Sequence, residues 1–205
     1  MAEPEPCDAS LVSDVRGGDL KAFEVFYRRY EGAVYRTALA LLRDEMTAEE
    51  VVVDTFLRAH GARARLDPGR SPLPWLQRIA VNLSLNRLRR RRLGLEQLPE
   101  QAPWPDETVT APESAAERRE ITVALAGGIE RLPAQMRAVV VLRFVQDSSL
   151  AEIAETLGCP LGTVKSRLHN ALRLLRDDLR HEFEPVAAPD AAGRSARRES
   201  DGPAA

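Results

Sequence analysis

The sequence predicts an all-α protein of two small helical domains joined by a flexible acidic linker. Its 205 residues are strongly charged and poor in aromatics, a composition that favours small helical units over sheets. Apolar residues recur at spacings of three and four in separate stretches, as on the buried face of a helix. The net charge of -2 conceals blocks of opposite sign that divide the chain, so two modest cores are expected rather than one.

Charge and proline content set the domain boundaries. From Leu93 to Glu117 the chain holds six acids, four prolines and no Lys or Arg, so this stretch cannot bury enough apolar surface to order itself. The low-complexity end of the chain is expected to be disordered. The predicted segments are a flexible lead (1–18), a first domain (19–92), the linker (93–112), a second domain (113–182) and a disordered tail (183–205).

The first domain is predicted to open with two helices. Asp19 caps the first, in which aromatic residues such as Phe23, Phe26 and Tyr30 recur at helical spacing and indicate a core stripe rather than a ligand box. Thr47 with Glu50 forms the pattern of a capping box for the second. The three valines at 51–53 have low helix propensity, so tertiary packing or a partner surface must hold this segment helical.

A basic loop and a third helix complete the first domain. Residues from Gly61 to Pro74 lack periodicity, and a helical pattern resumes from Trp75 to about Arg92. Between Arg58 and Arg92 the chain holds ten arginines against one acid, Asp67. One helix face carries Trp75, Arg78, Asn82, Asn86 and Arg89. Such a stripe suits single-stranded or melting DNA, where bases stack and arginines track phosphates.

Plainer interpretations of this stripe stay open. Trp75 can equally be an ordinary core tryptophan. The run from Arg89 to Arg92 can be a solvated helix end, where cations are favoured, although its place beside the basic loop favours phosphate binding.

The second domain is predicted to contain four helices. The first, from about Glu113 to Leu132, is expected to be interrupted at Gly127 and Gly128, and Pro133 starts the next. A helix-turn-helix follows. Ser149 and Glu152 form a capping box for its first helix, Gly158 can end that helix in a left-handed conformation, and Pro160 suits the start of the second.

The outer face of the last helix predicts duplex DNA binding. It carries Thr163, Lys165, Ser166, Arg167, His169, Asn170 and Arg173. A helix-turn-helix presents such donors and acceptors to base edges in the major groove, and no acid lies between Pro160 and Asp177. The alternative is a helical bundle with a polar surface that touches no nucleic acid.

Other function classes lack their signatures. Cys7 and Cys159 give neither a disulfide framework nor a metal-ligand spacing, and no metal site or cofactor is predicted. There is no Walker loop and no nucleophile with its base, so no enzyme and no catalytic residue is predicted. The acidic N-terminus and the lack of a long apolar run predict a cytoplasmic protein without membrane insertion.

The order of the motifs resembles one family closely. The segments AFEVFYRRY, AEEVVVDTFLRA, WLQRIAVNLSLNRLRR, LPAQMRAVVVLRF and EIAETLGCPLGTVKSRLHNAL follow one another as in an extracytoplasmic-function (ECF) sigma factor of bacterial RNA polymerase. The resemblance covers about Asp19 to Arg92 and Glu113 to Leu179. It implies a region 2 domain and a region 4 domain, and a promoter-specificity subunit that helps open the duplex without hydrolysing a nucleotide.

The resemblance also implies the partners. Region 2 docks on the clamp helices of core polymerase, which selects Glu49, Glu50, Asp54 and Arg58 as polymerase contacts. Two positions depart from the family, because Val53 stands where Gln is usual and His60 where Trp is common. Contacts of region 4 with the polymerase flap, and capture by an anti-sigma factor, are implied as well.

Promoter DNA is the remaining implied partner. The resemblance implies that the loop and helix of region 2 capture a base flipped from the -10 element, an extrusion whose cost a pocket must offset. The residues selected are Arg63, Arg65, Arg70, Trp75, Arg78, Asn82, Asn86, Arg89 and Arg90. Region 4 places the seven polar residues of its last helix in the -35 element, where His169 and Asn170 are unusual for the family.

A rival hypothesis is a stand-alone helix-turn-helix regulator whose N-terminal domain senses a signal or dimerises. It accounts equally well for Ser149 to Arg176. It leaves the arginine-rich loop and the Trp75 stripe without a role, and it predicts binding to duplex DNA without polymerase.

Overall fold

The computed structural model describes residues 7–95 and 115–183, and within these ranges it is entirely helical apart from turns. The N-terminal domain contains α1 (Asp8–Gly17), α2 (Leu20–Leu42), α3 (Glu45–Gly61), a 3₁₀ turn (Arg63–Arg65) and α4 (Leu73–Arg92). The C-terminal domain contains α5 (Ala115–Arg131), α6 (Ala134–Phe144), α7 (Leu150–Leu157) and α8 (Leu161–Phe183). The all-α prediction is confirmed. None of these helices is long and apolar enough to cross a membrane.

The aromatic stripe of α2 forms the centre of the N-terminal domain. Phe26 is fully buried, and its ring meets that of Tyr30 at 5.0 Å and that of Phe56 on α3 at 6.2 Å. Helices α2, α3 and α4 each pack against the other two. The interpretation of the stripe as core is therefore confirmed, and α3 and α4 are held at fixed positions on α2.

Helix α1 replaces part of the predicted flexible lead. Leu11, Val12 and Val15 are at most 1% exposed, and Gly18 ends the helix at φ 91°. The Arg29 guanidinium bonds the Asp8 carboxylate at 2.8 Å. The prediction of a flexible lead was wrong for residues 8–17. The stretch is short and mostly polar, and its three apolar residues favour a helix only because α2 buries them.

Helix α3 begins earlier than predicted. Its N-cap is Asp44, whose carboxylate accepts a hydrogen bond from the Thr47 backbone N–H at 3.1 Å, so Thr47 lies inside the helix rather than capping it. Of the three valines, Val51 and Val52 are buried and Val53 is 52% exposed. Packing against the core thus holds this β-branched run in a helix, as the low propensity of the valines requires.

The predicted interruption at Gly127 and Gly128 is absent, because α5 runs through both glycines. A Cβ at Gly128 would lie 3.0 Å from a Leu175 methyl, so a residue without a side chain lets α8 approach α5 closely. The linker and tail predictions cover residues that mostly lie outside the described ranges.

The apolar core is not divided one cluster per domain, so the expectation of two separate cores was wrong. The larger cluster begins on α1–α4 and continues through Val139 and Leu142 of α6 and Ile153 of α7. A smaller cluster, which includes Ile129 and Leu175, lies between α5, α6 and α8. The two domains therefore bury apolar surface against each other.

Candidate nucleic-acid interface

Helices α7 and α8 form the predicted helix-turn-helix. The Ser149 hydroxyl accepts a hydrogen bond from the Glu152 N–H at 3.2 Å, and the Glu152 carboxylate accepts one from the Ser149 N–H at 2.7 Å, which completes the capping box. Gly158 ends α7 at φ 62°, a left-handed conformation that favours glycine. Both features confirm the local predictions, and they fix where α7 begins and ends.

Replacing Ser149 with alanine is expected to destabilise the protein by about 1 kcal/mol, because α7 loses its N-cap. Hydrogen bonds from the Ser149 side chain and then its backbone lower the pKa of the Glu152 carboxyl. A pKa that is lower in the folded state contributes stability at neutral pH that is lost as the pH falls through the folded value. Urea unfolding at neutral and acidic pH should therefore show a smaller acid-induced loss in Ser149→Ala. An equal loss in both proteins would contradict this role of the cap.

The residues predicted to read duplex DNA share the outer face of α8. Lys165, Ser166, His169 and Arg173 are exposed, whereas Thr163, Arg167 and Asn170 are half-buried. The Ser166 hydroxyl donates to the Thr163 carbonyl oxygen at 3.0 Å, and an Arg167 nitrogen lies 3.8 Å from the Cys159 sulfur in the turn. Arg173 pairs with Asp177 at 3.6 Å. Four side chains are thus exposed on this face, and the Arg167 side chain is directed toward the turn.

The loop cations do not share one environment. Arg63 is half-buried, donates to the His60 carbonyl oxygen at 3.1 Å and lies against Gly18, so it joins the loop to the end of α1. Arg65 and Arg70 are exposed. Arg65 can meet phosphate, whereas Arg63 is turned toward the protein and Arg70 pairs with Asp67 at 3.8 Å and with Glu155 at 3.4 Å.

The predicted α4 stripe lies along one exposed face. Arg78, Asn82, Asn86, Arg89 and Arg90 are all exposed. Trp75 is half-buried and packs against the larger core cluster, so its indole is partly a core group and partly a surface group. We call the exposed residues, with Trp75, Arg65 and Arg70, the strand-reading face.

The four arginines from Arg89 to Arg92 lie in two different environments. The Arg91 side chain is only 9% exposed. It donates to the Leu42 carbonyl oxygen at 3.2 Å, to Asp44 at 3.1 Å and to the Thr47 hydroxyl at 2.7 Å. Arg91 therefore holds the α2–α3 corner and cannot reach phosphate, while Arg89, Arg90 and Arg92 remain at the surface.

The predicted polymerase contacts lie on the outer side of α3. Glu49, Glu50 and Arg58 are exposed, and Asp54 is half-buried. Arg87 of α4 bonds Glu50 at 2.9 Å and approaches Asp54 at 3.8 Å, so an intramolecular cation fixes both carboxylates. His60, at the end of the helix, packs edge-on against the Phe23 ring at 4.9 Å.

The sequence reasoning missed the apolar part of this face. Met46 is 74% exposed, Val53 52% and Leu57 66%, and their spacing of seven and four aligns them on one side of α3. We call these three residues the α3 apolar stripe. The sequence did hold a sign of this stripe, because the three apolar residues do not fall at the helical positions of the buried residues. Val53, which stands where the family usually has Gln, is one of the three.

A second apolar surface lies in the C-terminal domain. A groove of about 550 Å³ separates α5 from the end of α8. Its walls are Leu125, Leu172, Leu175, Leu179 and Phe183, with Arg176 and Arg180 beside them. Leu125, Leu172 and Phe183 are between 38% and 48% exposed, so the groove forms an apolar patch that is open to solvent. We call this surface the α5–α8 groove.

Two family models match the chain. The model described as Sigma-70 region 2 matches residues 26–93, and that described as Sigma-70, region 4 matches residues 123–175. The first match covers most of α2 and all of α3 and α4, and the second covers most of the stretch from α5 to α8. Each model therefore coincides with one helical domain.

Named relatives match the chain across both domains. The ECF RNA polymerase sigma factor SigW of Bacillus subtilis is 32% identical over 82% of this chain and 95% of its own length. The ECF RNA polymerase sigma factor SigE of Mycolicibacterium smegmatis is 34% identical over 88% of this chain and 72% of its own. The solved structure of CnrH with the cytosolic domain of CnrY is 24% identical, covers 86% of this chain and 99% of that one, and superposes with a TM-score of 0.63, which shows a common fold.

Proposed function

This chain belongs to the extracytoplasmic-function family of RNA polymerase sigma factors, and from that premise we propose how its two domains share a promoter. As a sigma factor it is a transcription initiation factor that directs core RNA polymerase to particular promoters. We propose that α8 reads the -35 element and that the strand-reading face of α4 holds the melting -10 element. The observation that carries this division is that each domain exposes its own polar and basic helix face.

The α8 face is suited to duplex DNA. Lys165, Ser166 and His169 lie in the first half of a helix that begins directly after a tight turn, the position from which a helix-turn-helix reaches base edges. Lys165 and Asn170 offer donors for purine edges, and an amide can bond adenine with two hydrogen bonds. Arg173 lies farther along, where phosphates flank the groove.

The strand-reading face is suited to an unpaired strand. Asn82 and Asn86 alternate with cations, Trp75 offers a partly exposed ring on which a base can stack, and Arg65 and Arg70 lie in the adjoining loop. Extruding a base costs stacking energy, and such a surface offsets that cost only for a strand that is already opening.

Two apolar surfaces supply the polymerase contacts. We propose that the α3 apolar stripe, flanked by Glu49, Glu50, Asp54 and Arg58, docks on the clamp helices. The α5–α8 groove is the proposed seat of the flap. Apolar side chains surrounded by charge are the usual centre of a protein interface, since the charges form the rim and the apolar groups lose water on binding.

The same premise sets the remaining roles. We propose that the chain itself catalyses no reaction, needs no cofactor, and works in the cytoplasm where its polymerase acts. An anti-sigma factor is a further proposed partner, because the two exposed apolar surfaces are available for capture. The rival hypothesis, a stand-alone regulator, gives the strand-reading face no role and would use the α3 apolar stripe only as a dimer contact.

Run-off transcription is the direct test. The purified chain with core polymerase should start transcripts at genomic promoters that core polymerase alone ignores. The promoters are first found by mapping transcript starts after overexpression. The proposal fails if no specific product forms, and footprints on duplex sites without polymerase would favour the stand-alone regulator.

Lys165→Ala and Asn170→Ala should reduce transcription from a promoter with its -35 element intact by about tenfold each, since a good base contact contributes about 1–3 kcal/mol. On a template whose -35 element is scrambled, the variants and the wild type should be equally weak. Affinity for core polymerase, measured by fluorescence anisotropy, should not change. Loss of core affinity in both variants would contradict the assignment of this face.

Arg89→Ala with Arg90→Ala should lower the salt dependence of binding to a single-stranded probe. Each phosphate contact that is lost reduces the slope of log affinity against log salt by about 0.7. Arg91 is left in place because its side chain is structural. A titration over a range of potassium chloride concentrations measures the slope, and an unchanged slope would mean that the run is merely solvated.

A further inference from the structure

The α3 apolar stripe has a charged residue in line with it. Glu50 is four residues after Met46 and three before Val53, so it lies between them on one side of the helix. The Glu50 side chain is 55% exposed. A partner that covers the stripe therefore covers a carboxylate as well. Removing water from a carboxylate is costly unless a cation or a hydrogen-bond donor stays beside it.

The cation beside this carboxylate comes from the neighbouring helix. One terminal guanidinium nitrogen of Arg87, on α4, lies 2.9 Å from a Glu50 oxygen, and the other lies 3.8 Å from an Asp54 oxygen. Glu50 and Asp54 are four residues apart on α3, where like charges repel each other. A single planar guanidinium therefore pairs with two carboxylates that would otherwise destabilise this side of α3.

Helix α4 presents Arg87 and the strand-reading face on different sides. Successive residues of a helix are about 100° apart around its axis, and Asn86 is exposed whereas Arg87 is half-buried. Helices α3 and α4 pack against each other, and the Arg87 side chain lies at this junction. Arg87 is therefore set apart from the residues proposed to meet the melting strand.

The ion pairs order the two carboxylates without hiding them. Ordering a long side chain at an interface costs free energy, and a contact already made in the free protein removes part of that cost. The Glu50 and Asp54 side chains remain 55% and 44% exposed while Arg87 pairs with them. Both carboxylates are thus held in place and still accessible to a partner.

We propose that Arg87 is a positioning residue for polymerase docking. It orders Glu50 and Asp54 before the partner arrives, and it supplies the counter-charge that Glu50 needs when the stripe loses its water. The inference rests on the proposed docking of the α3 apolar stripe on core polymerase. Sequence spacing did not single out Arg87, because its partners lie on another helix.

Replacing Arg87 tests this role through the affinity of the full chain for core polymerase. Arg87→Ala should weaken binding by about tenfold, because docking must then order both carboxylates and desolvate Glu50 without their cation. Arg87→Lys keeps the charge but loses the two-pronged geometry, so it should recover part of the affinity. Unchanged affinity in Arg87→Ala would overturn the inference. Tighter binding would overturn it too, since Arg87 would then compete with a cation of the polymerase.

A double-mutant cycle shows whether Arg87 acts through the two carboxylates. Glu50→Gln combined with Asp54→Asn keeps the shape of both side chains and removes their charge. Adding Arg87→Ala to this neutral background should change the affinity by less than about twofold, because the interaction is already absent. An equal loss in both backgrounds would mean that Arg87 touches the polymerase itself, which would overturn its role as a positioning residue.

Arg28→Ala is the matched control. Arg28 pairs with Glu24 at 2.6 Å on α2, so this variant also removes one cation from an ion pair with a glutamate, and neither residue belongs to the α3 docking face. Its affinity for core polymerase should stay within about twofold of the wild type, which separates positioning from a general effect of charge. Circular dichroism checks that the variants stay folded. Arg87→Met, which keeps the side-chain length, replaces Arg87→Ala in the cycle if the alanine variant unfolds.

This inference and the proposed function fail in different ways. Leu57→Glu reports whether the α3 apolar stripe docks at all, and run-off transcription by the wild type reports whether the chain directs initiation. A large loss of core affinity in Leu57→Glu with no loss in Arg87→Ala would overturn the role of Arg87 alone. Specific transcripts from the wild type, with no loss of affinity in either variant, would place the docking surface elsewhere and overturn this inference while the proposed function stands.

Discussion

Leu57→Glu is expected to weaken binding to core polymerase by about thirtyfold or more, since an apolar anchor of an interface commonly contributes about 2 kcal/mol or more. Leu57 is 66% exposed at the C-terminal end of the α3 apolar stripe, so it contributes little to the fold. A glutamate there would carry a charge into a surface that loses its water on docking. Titration of labelled protein with core polymerase measures the affinity.

A matched control separates docking from general surface effects. Leu20 is 71% exposed at the first position of α2 and is not a member of the α3 apolar stripe, so Leu20→Glu should bind core polymerase like the wild type. Both variants should unfold at the same urea concentration as the wild type, within the small range typical of surface changes. An affinity of Leu57→Glu within about twofold of the wild type would exclude the α3 apolar stripe as the docking surface.

Arg91→Ala should destabilise the N-terminal domain by about 3–5 kcal/mol, because it leaves the Asp44 carboxylate buried without its cation. Both side chains are at most 10% exposed, and Asp44 is also the N-cap of α3. Arg91→Lys should recover only part of the loss, since one ammonium cannot bond the Leu42 carbonyl, Asp44 and Thr47 in the same geometry as a planar guanidinium. Urea unfolding followed by circular dichroism measures the change.

The neighbouring residue provides the control for this prediction. Arg92 carries the same charge one position later and is exposed, so Arg92→Ala should stay within about 0.5 kcal/mol of the wild type. Equal unfolding midpoints for the two alanine variants would show that the buried ion pair does not stabilise the α2–α3 corner. If all four arginines from Arg89 to Arg92 were replaced together, a promoter defect could come from lost phosphate contacts or from lost stability. The two single variants distinguish these causes.

Local chemistry made the helix-turn-helix predictable. A hydroxyl and a carboxylate three residues apart satisfy each other's backbone donors within one turn, and Gly158 adopts a positive φ that other residues rarely reach. Neither feature depends on the rest of the chain. The Thr47–Glu50 pattern failed because Asp44, three residues earlier, was a competing cap that lies beside Arg91 only in the folded domain.

Sequence by itself determined the helical fold, the order of the two domains, the family and the faces on which polar and basic side chains gather. Tertiary structure decided which residues of one type, within the same stretch of chain, are buried or paired and which remain at the surface. Arg91 and Arg63 turn inward while Arg89 and Arg65 remain outside, Val53 joins a surface stripe while Val51 enters the core, and α1 becomes ordered. The physical reason is that periodicity and capping are short-range, whereas burial and ion pairing depend on elements that are distant in the chain, including the contacts that close one domain on the other.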